Sequence, residues 1–198
     1  MNFMKGLRAS ISTIVRHINE IPDTVDMDVL EDVIRYILGA ERIFIVGAGR
    51  SGLVGKAFAM RLMHLGKKVY VIGETITPAV SEDDLVIAIT GSGNTNNVVT
   101  SAKISKQIGA RVIAFTANKK GELLKYVDVA VFLKAKTKEL SEETDYIARQ
   151  LSGGDSHTAL GTLFEISAMV LLDGLITELM NRLGKTEKDL KKRHSNLE

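Results

Sequence analysis

The sequence predicts an α/β fold, a three-layer αβα sandwich built on a five-stranded parallel sheet. Five short apolar runs, most of them β-branched and continuous, are typical of strands buried on both faces; they lie at residues 43–46, 69–72, 85–89, 112–115 and 129–133. Helical patterns separate them, at residues 53–65, 97–108 and 122–126. Strands that alternate with helices at this spacing predict right-handed crossovers and therefore a parallel sheet.

Two amphipathic helices are predicted before the first strand. Apolar residues recur at helical spacing over residues 11–21, and Pro22 is expected to end that helix. A second apolar stripe runs over residues 29–38 and is followed by Gly39, a common residue at helix ends. We therefore expect N-terminal helices within residues 1–40.

Beyond the last strand the βα pattern stops. We predict a charged loop, a flexible turn, a long helix that is apolar nearly all round and a short last helix, at 134–150, 152–155, about 158–183 and about 187–193. A helix that is apolar on all faces is buried, either in the core or at a subunit interface. The expected organisation is one domain over residues 1–198, with a helical tail at 185–198 packed on it.

The composition excludes several classes of function. Lys and Arg number 26 and Asp and Glu number 24, so no strong net field favours nucleic acid or an anionic membrane as a partner. The chain has no cysteine, which excludes a disulfide framework, a thiolate zinc site and a cysteine nucleophile. No segment has the pattern of a signal peptide or of an uncharged membrane span. We expect a cytoplasmic protein without a metal-ligand cluster.

A glycine-rich turn follows the first predicted strand and opens a helix. Residues 47–52 spell Gly-Ala-Gly-Arg-Ser-Gly. Glycines let the backbone approach an anion, and the helix N-terminus adds free N–H groups and the positive end of a dipole. The same glycines fit the G-x-G-x-x-G dinucleotide pattern, with Glu74 near the ribose position. A tight turn without a ligand is the other alternative.

A second turn of this kind follows the third predicted strand. Residues 90–95 read Thr-Gly-Ser-Gly-Asn-Thr. Hydroxyl groups donate hydrogen bonds to phosphate oxygens without adding positive charge. The alternative is helix capping, because Ser, Thr and Asn are good N-cap residues. One cap needs one such residue, whereas this turn has four.

The two turns together favour a phosphate site over a dinucleotide site. In a sheet with strand order 2-1-3-4-5, strands one and three are neighbours at the switch point, where ligands bind at the carboxyl ends of strands. Both turns would then face one crevice, whereas a dinucleotide enzyme needs only the first turn and an additional substrate domain. The residues expected to bind the ligand are Gly49, Arg50, Ser51, Gly52, Thr90, Gly91, Ser92, Gly93, Asn94 and Thr95.

The turns and the order of elements resemble the SIS (sugar isomerase) domain family, and within it the 6-phospho-3-hexuloisomerases. Four further segments carry the resemblance, at residues 59–66, 73–78, 161–165 and 193–197. The resemblance implies a flavodoxin-like αβα fold that binds phosphosugars. It also implies an isomerase that interconverts D-arabino-hex-3-ulose 6-phosphate and fructose 6-phosphate through a cis-enediol without a cofactor.

Three residues are candidates for proton transfer. Glu165 is predicted more than two turns inside the apolar helix, where a carboxylate rarely stands without a role; the alternative is an ion pair with Arg61 or Arg50. His64 is either a donor to the sugar oxygens or a favourable charge at a helix C-terminus. His194 lies in the tail that carries the resemblance, although a solvated end residue is the other reading. We expect Glu165 to be the general base.

Two other classes of function remain open from the sequence, the first of them with two members. One is a different SIS-domain phosphosugar isomerase or a non-catalytic sugar-phosphate sensor, and the other is a small dinucleotide-binding protein. The apolar surface of the first and the long helix predicts a homo-oligomer, a dimer or a tetramer. Related domains take a histidine from a neighbouring subunit, so the resemblance implies that role for His194.

Overall fold

One parallel sheet organises the computed structural model, which describes residues 4–135, 158–159 and 161–197. Its five strands pair in the order β2-β1-β3-β4-β5. The strands are β1 (Ile43–Gly47), β2 (Val69–Val71), β3 (Leu85–Ile89), β4 (Arg111–Thr116) and β5 (Val129–Phe132). The predicted α/β class and strand order 2-1-3-4-5 are confirmed.

Helices surround the sheet. They are α1 (Lys5–Asn19), α2 (Ile21–Thr24), α3 (Met27–Gly39), α4 (Gly49–Leu65), α5 (Asn96–Ile108), a 3₁₀ helix (Glu122–Tyr126), α6 (Thr162–Arg182) and α7 (Glu187–Lys191). Pro22 does not directly end α1 but lies in the first turn of α2, where its missing N–H costs no helical hydrogen bond. The turn predicted at 152–155, and the predicted loop from residue 136 on, lie outside the described residues.

The sheet is buried because alternate side chains of each strand enter one of two apolar layers. On one face Ile45 and Ile87 pack with residues of α3, α4 and α6, whereas on the other Phe44 and Val86 pack with residues of α5. Successive side chains of a strand point to opposite faces, so both layers need apolar residues. This is why the strands appear in the sequence as continuous apolar runs.

The longest helix, α6, packs along α4. Eight of its residues are buried, among them Phe164, Leu172 and Leu179. In the portions of the chain that are described, no helix combines the length and the hydropathy needed to cross a membrane. The apolar character of α6 is therefore used largely in the core.

A buried ion pair holds the amino-terminal edge of the sheet. Asp84, which precedes β3, is 1% exposed. Its carboxylate accepts hydrogen bonds from Arg42 Nε at 2.9 Å and Nη2 at 2.7 Å, and from the Ser81 amide at 2.6 Å. Burial alone would raise the pKa of Asp84, but the bonds from Arg42 and Ser81 outweigh it and lower the pKa. The pair thus ties the start of β1 to the start of β3.

Replacing Arg42 by alanine should lower the free energy of unfolding by about 3 kcal/mol, because a buried carboxylate loses its countercharge. Arg35→Ala is the matched control, since Arg35 pairs with Asp32 on the surface, where such a pair contributes less than about 1 kcal/mol. Denaturation in urea, followed by circular dichroism, measures both. Equal losses for the two variants would contradict a structural role for the Arg42–Asp84 pair.

Candidate functional site

The first glycine turn joins β1 to α4 at the carboxyl edge of the sheet. The backbone of Gly47 and that of Gly52 touch, since a Cβ on Gly47 would lie 3.0 Å from Gly52 Cα. Gly49 has a φ of +54°, which disfavours residues with a side chain. The N-cap residue Ala48 offers no side-chain cap to α4. Backbone N–H groups at the start of α4 are therefore left for a ligand or water.

The second turn joins β3 to α5, and its hydroxyl groups bond mainly to one another. Thr90 Oγ1 lies 2.9 Å from Thr95 Oγ1, and Ser92 Oγ lies 3.5 Å from Thr95 Oγ1. Thr95 is the N-cap residue of α5, yet its side chain makes no capping bond. The capping alternative thus does not account for these hydroxyls. Thr90 is buried, whereas Ser92 and Thr95 are partly exposed at the crevice.

The pairing of β1 with β3 brings the two turns side by side. Gly47 at the end of β1 is in register with Ile89 at the end of β3. Helix α4 begins within the first turn and α5 begins directly after the second, so two helix N-termini lie at the same edge of the sheet. The positive ends of the two helix dipoles favour an anion there.

Glu165 lies at this edge but not where the sequence predicted it. The prediction that the long helix starts near residue 158 is wrong, because α6 begins at Thr162 after Gly161, whose φ is +87°. Glu165 is therefore in the first turn of α6, where a carboxylate is favoured by the helix dipole. Its side chain is 13% exposed and forms an ion pair with Arg50 Nε. The proposed alternative, a pair with Arg50, is thus present.

The Arg50–Glu165 pair borders a small cavity between α4 and α6. The cavity has a volume of about 260 Å³, and apolar side chains supply most of its lining, among them Leu53, Ile166 and Met169. Arg50 is adjacent in sequence to Ser51 of the first turn. A carboxylate and a guanidinium thus stand together beside the two hydroxyl-bearing turns.

The two candidate histidines lie elsewhere in the same chain. His64 is fourteen residues after Arg50 on α4, about 21 Å along the axis at 1.5 Å per residue. Its ring stacks on that of His194, with centroids 5.0 Å apart. Both line a cleft of about 620 Å³ formed with α6 and α7, which Arg61 also borders. Within one chain, the structure joins the histidines to each other but not to Glu165.

His64 is buried without a complete set of hydrogen bonds. It is 3% exposed, and its Nδ1 atom has no hydrogen-bond partner. Burial lowers the pKa of His64, and the neighbouring His194 and Arg61 lower it further. The folded protein therefore holds this imidazole in its neutral form.

Sequence reasoning gave no site role to three residues of the site region, although one of them, Gly161, lies in a segment that carries the resemblance. Asn118 and Gly121 lie after β4 and support the second turn, and a Cβ on Gly121 would lie 2.8 Å from Gly93 Cα. A Cβ on Gly161 would lie 3.2 Å from Glu165 Oε1. The available signal was a glycine directly before a helix for Gly161 and Gly121, whereas Asn118 gave no local signal.

Comparison with known proteins gives one matching family model and several named relatives. The SIS domain family model matches residues 36–157. A Methanocaldococcus jannaschii protein named 3-hexulose-6-phosphate isomerase is 40% identical, over 85% of this chain and 83% of the relative. A Mycobacterium gastri protein of the same name is 38% identical, over 91% and 87%. A hypothetical protein from Methanococcus jannaschii, whose crystal structure infers a molecular function of 3-hexulose-6-phosphate isomerase, has a TM-score of 0.78 at 37% identity, over 96% and 98%.

The neutral, buried state of His64 predicts a loss of stability in mild acid. The pKa of His64 is lowered in the folded state, so below an ordinary histidine value of about 6.5 the unfolded chain binds a proton that the folded chain excludes. Stability should therefore fall as the pH drops from 7.5 to 5.5. His64→Phe, which keeps a ring there, should flatten this decline in thermal melts. His17→Gln is the control, and an unchanged slope in His64→Phe would refute the assignment.

Proposed function

This chain belongs to the SIS domain family, and we propose that it is a cytoplasmic 6-phospho-3-hexuloisomerase. The reaction is the interconversion of D-arabino-hex-3-ulose 6-phosphate and fructose 6-phosphate. The observation that carries the proposal is the Glu165–Arg50 pair, which stands beside two hydroxyl-bearing turns at the carboxyl edge of the sheet. The name that relatives at 36–40% identity share agrees with it.

The turns are proposed to bind the phosphate group of the sugar. Ser51, Ser92 and Thr95 would donate their hydroxyl hydrogens to its oxygens, together with backbone N–H groups of both turns. The two helix N-termini add a favourable dipole for a dianion. Thr90, which is buried and bonded to Thr95, would orient that hydroxyl rather than touch the ligand.

Glu165 is proposed to be the base that moves the carbonyl group by one carbon. Its carboxylate would take the proton from C2 of the hex-3-ulose, which leaves an enediolate across C2 and C3. The proton then returns at C3, while the hydroxyl proton passes from O2 to O3, and fructose 6-phosphate results. Arg50, which holds the Glu165 carboxylate in place, can also stabilise the negative charge on the enediolate oxygens.

The histidine pair is proposed to act in the site of a neighbouring subunit. His64 and His194 are too far from Glu165 along α4 to serve the same chain. The outer face of α1 carries Leu7, Ile11 and Val15, each at least half exposed, which form an apolar stripe at helical spacing. Such a stripe favours a homo-oligomer, a dimer or a tetramer, in which the cleft of one chain can meet the crevice of another.

The direct test is a coupled assay that follows fructose 6-phosphate formed from hexulose 6-phosphate, with and without a chelator. Turnover that is insensitive to the chelator supports the proposal. A thermal shift with fructose 6-phosphate but no turnover would instead indicate a sugar-phosphate sensor. A shift with NAD and none with the sugar phosphate would indicate a dinucleotide-binding protein.

Replacing Glu165 by glutamine should reduce turnover by about 10²–10⁴-fold, because the amide keeps the shape but cannot accept the proton. Binding of fructose 6-phosphate, measured by calorimetry, should stay near normal. Glu178→Gln is the matched control on the same helix, since Glu178 is bonded to Arg182 far from the cavity. If Glu165→Gln keeps more than about a tenth of the activity, another group is the base.

Mixing two inactive variants tests the shared site. Deletion of residues 193–198 removes His194 and should abolish turnover with little change in melting temperature, because residues 193–197 are exposed. Co-refolding this variant with Glu165→Gln should restore activity, since some mixed oligomers contain one intact site. A mixture that stays inactive at every ratio would show that each chain completes its own site.

A further inference from the structure

Three consecutive carbonyl groups of the second turn face the segment that follows β4. The carbonyl of Gly91 accepts from the Ala117 amide at 3.1 Å. The carbonyl of Ser92 accepts from Asn118 Nδ2 at 2.8 Å. The carbonyl of Gly93 accepts from the amide of Leu123 at 2.9 Å. The backbone of residues 91–93 is therefore clamped along its carbonyl side.

This clamp decides where the N–H groups of the turn point. Peptide units are planar and, in the described residues, none is cis, so each N–H points opposite to the carbonyl of the same unit. The N–H groups of Ser92, Gly93 and Asn94 therefore point away from the segment after β4. That of Asn94 donates to Ser92 Oγ at 3.1 Å, so the N–H groups turned toward a ligand are those of Ser92 and Gly93. Successive N–H groups of this kind form an anion-binding concavity.

The central peptide unit of the clamp depends on a side chain. The Gly91 and Gly93 carbonyls are held by backbone amides, whereas the Ser92 carbonyl is held by Asn118. Gly93 has a φ of +70° and no side chain, so its intrinsic φ preference does not oppose a rotation of the Ser92–Gly93 unit, whereas the bond from Asn118 to the Ser92 carbonyl does. Rotation by half a turn would aim a carbonyl oxygen, instead of an N–H, at the ligand.

The side chain of Asn118 is held in place by further hydrogen bonds. It is 7% exposed, and its Oδ1 atom accepts from the Lys120 amide at 2.9 Å, so its Nδ2 group is the end turned toward Ser92. The backbone N–H of Asn118 donates to Thr116 Oγ1 at 3.3 Å. With both ends of the amide engaged, the side chain has one orientation available.

We propose that Asn118 is a positioning residue that keeps the Ser92–Gly93 peptide turned with its N–H toward the phosphate group. The assignment rests on the proposed function, because it takes the second turn as the phosphate site. Asn118 does not touch the sugar; it acts through the backbone of the turn. Its loss should weaken phosphate binding and leave the proton-transfer step intact.

The substitution Asn118→Asp removes the hydrogen bond that the Asn118 side chain donates to the Ser92 carbonyl. Aspartate keeps the acceptor for the Lys120 amide but cannot donate at neutral pH, and its charge repels the Ser92 carbonyl, so the rotated peptide becomes favoured. Affinity for inorganic phosphate and for fructose 6-phosphate, measured by calorimetry, should fall about tenfold or more. KM should rise by a similar factor with little change in kcat. Gln107→Glu, which adds the same charge at the exposed C-terminal end of α5, away from the turn, is the control and should change affinity less than threefold.

Amide NMR of the wild-type protein gives a readout that does not depend on how a variant folds. Titration with inorganic phosphate should shift the Gly93 N–H signal strongly, since that group would donate to the anion. Phosphate binding without a shift at Gly93, or equal affinity in Asn118→Asp and Gln107→Glu, overturns the role of Asn118. Phosphate binding without isomerase turnover overturns the proposed function alone, and a wild-type protein that binds no phosphate overturns both.

Discussion

Parallel pairing of β1 with β3 is the constraint on which the site depends. These strands are not consecutive in the chain but are neighbours in the sheet, and their register places Gly47 opposite Ile89. Each strand ends in a turn that starts a helix, so one pairing fixes two turns and two helix N-termini relative to each other. The hydroxyl groups of the second turn and the glycines of the first turn therefore face the same crevice.

The same edge receives the Arg50–Glu165 ion pair from the packing of α6 against α4. Because the two helices begin near each other, the first turn of α6 delivers Glu165 to the first turn of α4, where Arg50 stands. The helices then run together toward the far end of the molecule, where His64 meets His194. Helices α4 and α6 thus have the Glu165 carboxylate at one end, and at the other end His64 of α4 stacks on His194 from the C-terminal tail.

The fold was predictable from the sequence because the signal for buried parallel strands is local. Continuous β-branched runs and helical spacing identify each element without knowledge of its neighbours. Helix ends were less predictable. Pro22 was expected to end a helix but lies in the first turn of the next one. The left-handed conformation of Gly161 places the start of α6 at Thr162, later than the predicted start near residue 158. The Arg50–Glu165 pair joins residues 115 positions apart and was foreseen only as one of two ion-pair alternatives. The bond from Asn118 to Ser92 was not foreseen, since a side-chain-to-backbone contact across two strand ends leaves no periodic pattern.

The buried Arg42–Asp84 pair sits at the opposite edge of the sheet from the two turns. Its hydrogen bonds join segments that have no side chain in the crevice. The candidate site therefore lies at the carboxyl ends of the strands, and the stabilising ion pair lies at their amino ends. Substitutions at the amino-terminal edge can therefore change the stability of the fold while the carboxyl edge stays the same. Adaptation to temperature and choice of substrate can in this way evolve separately.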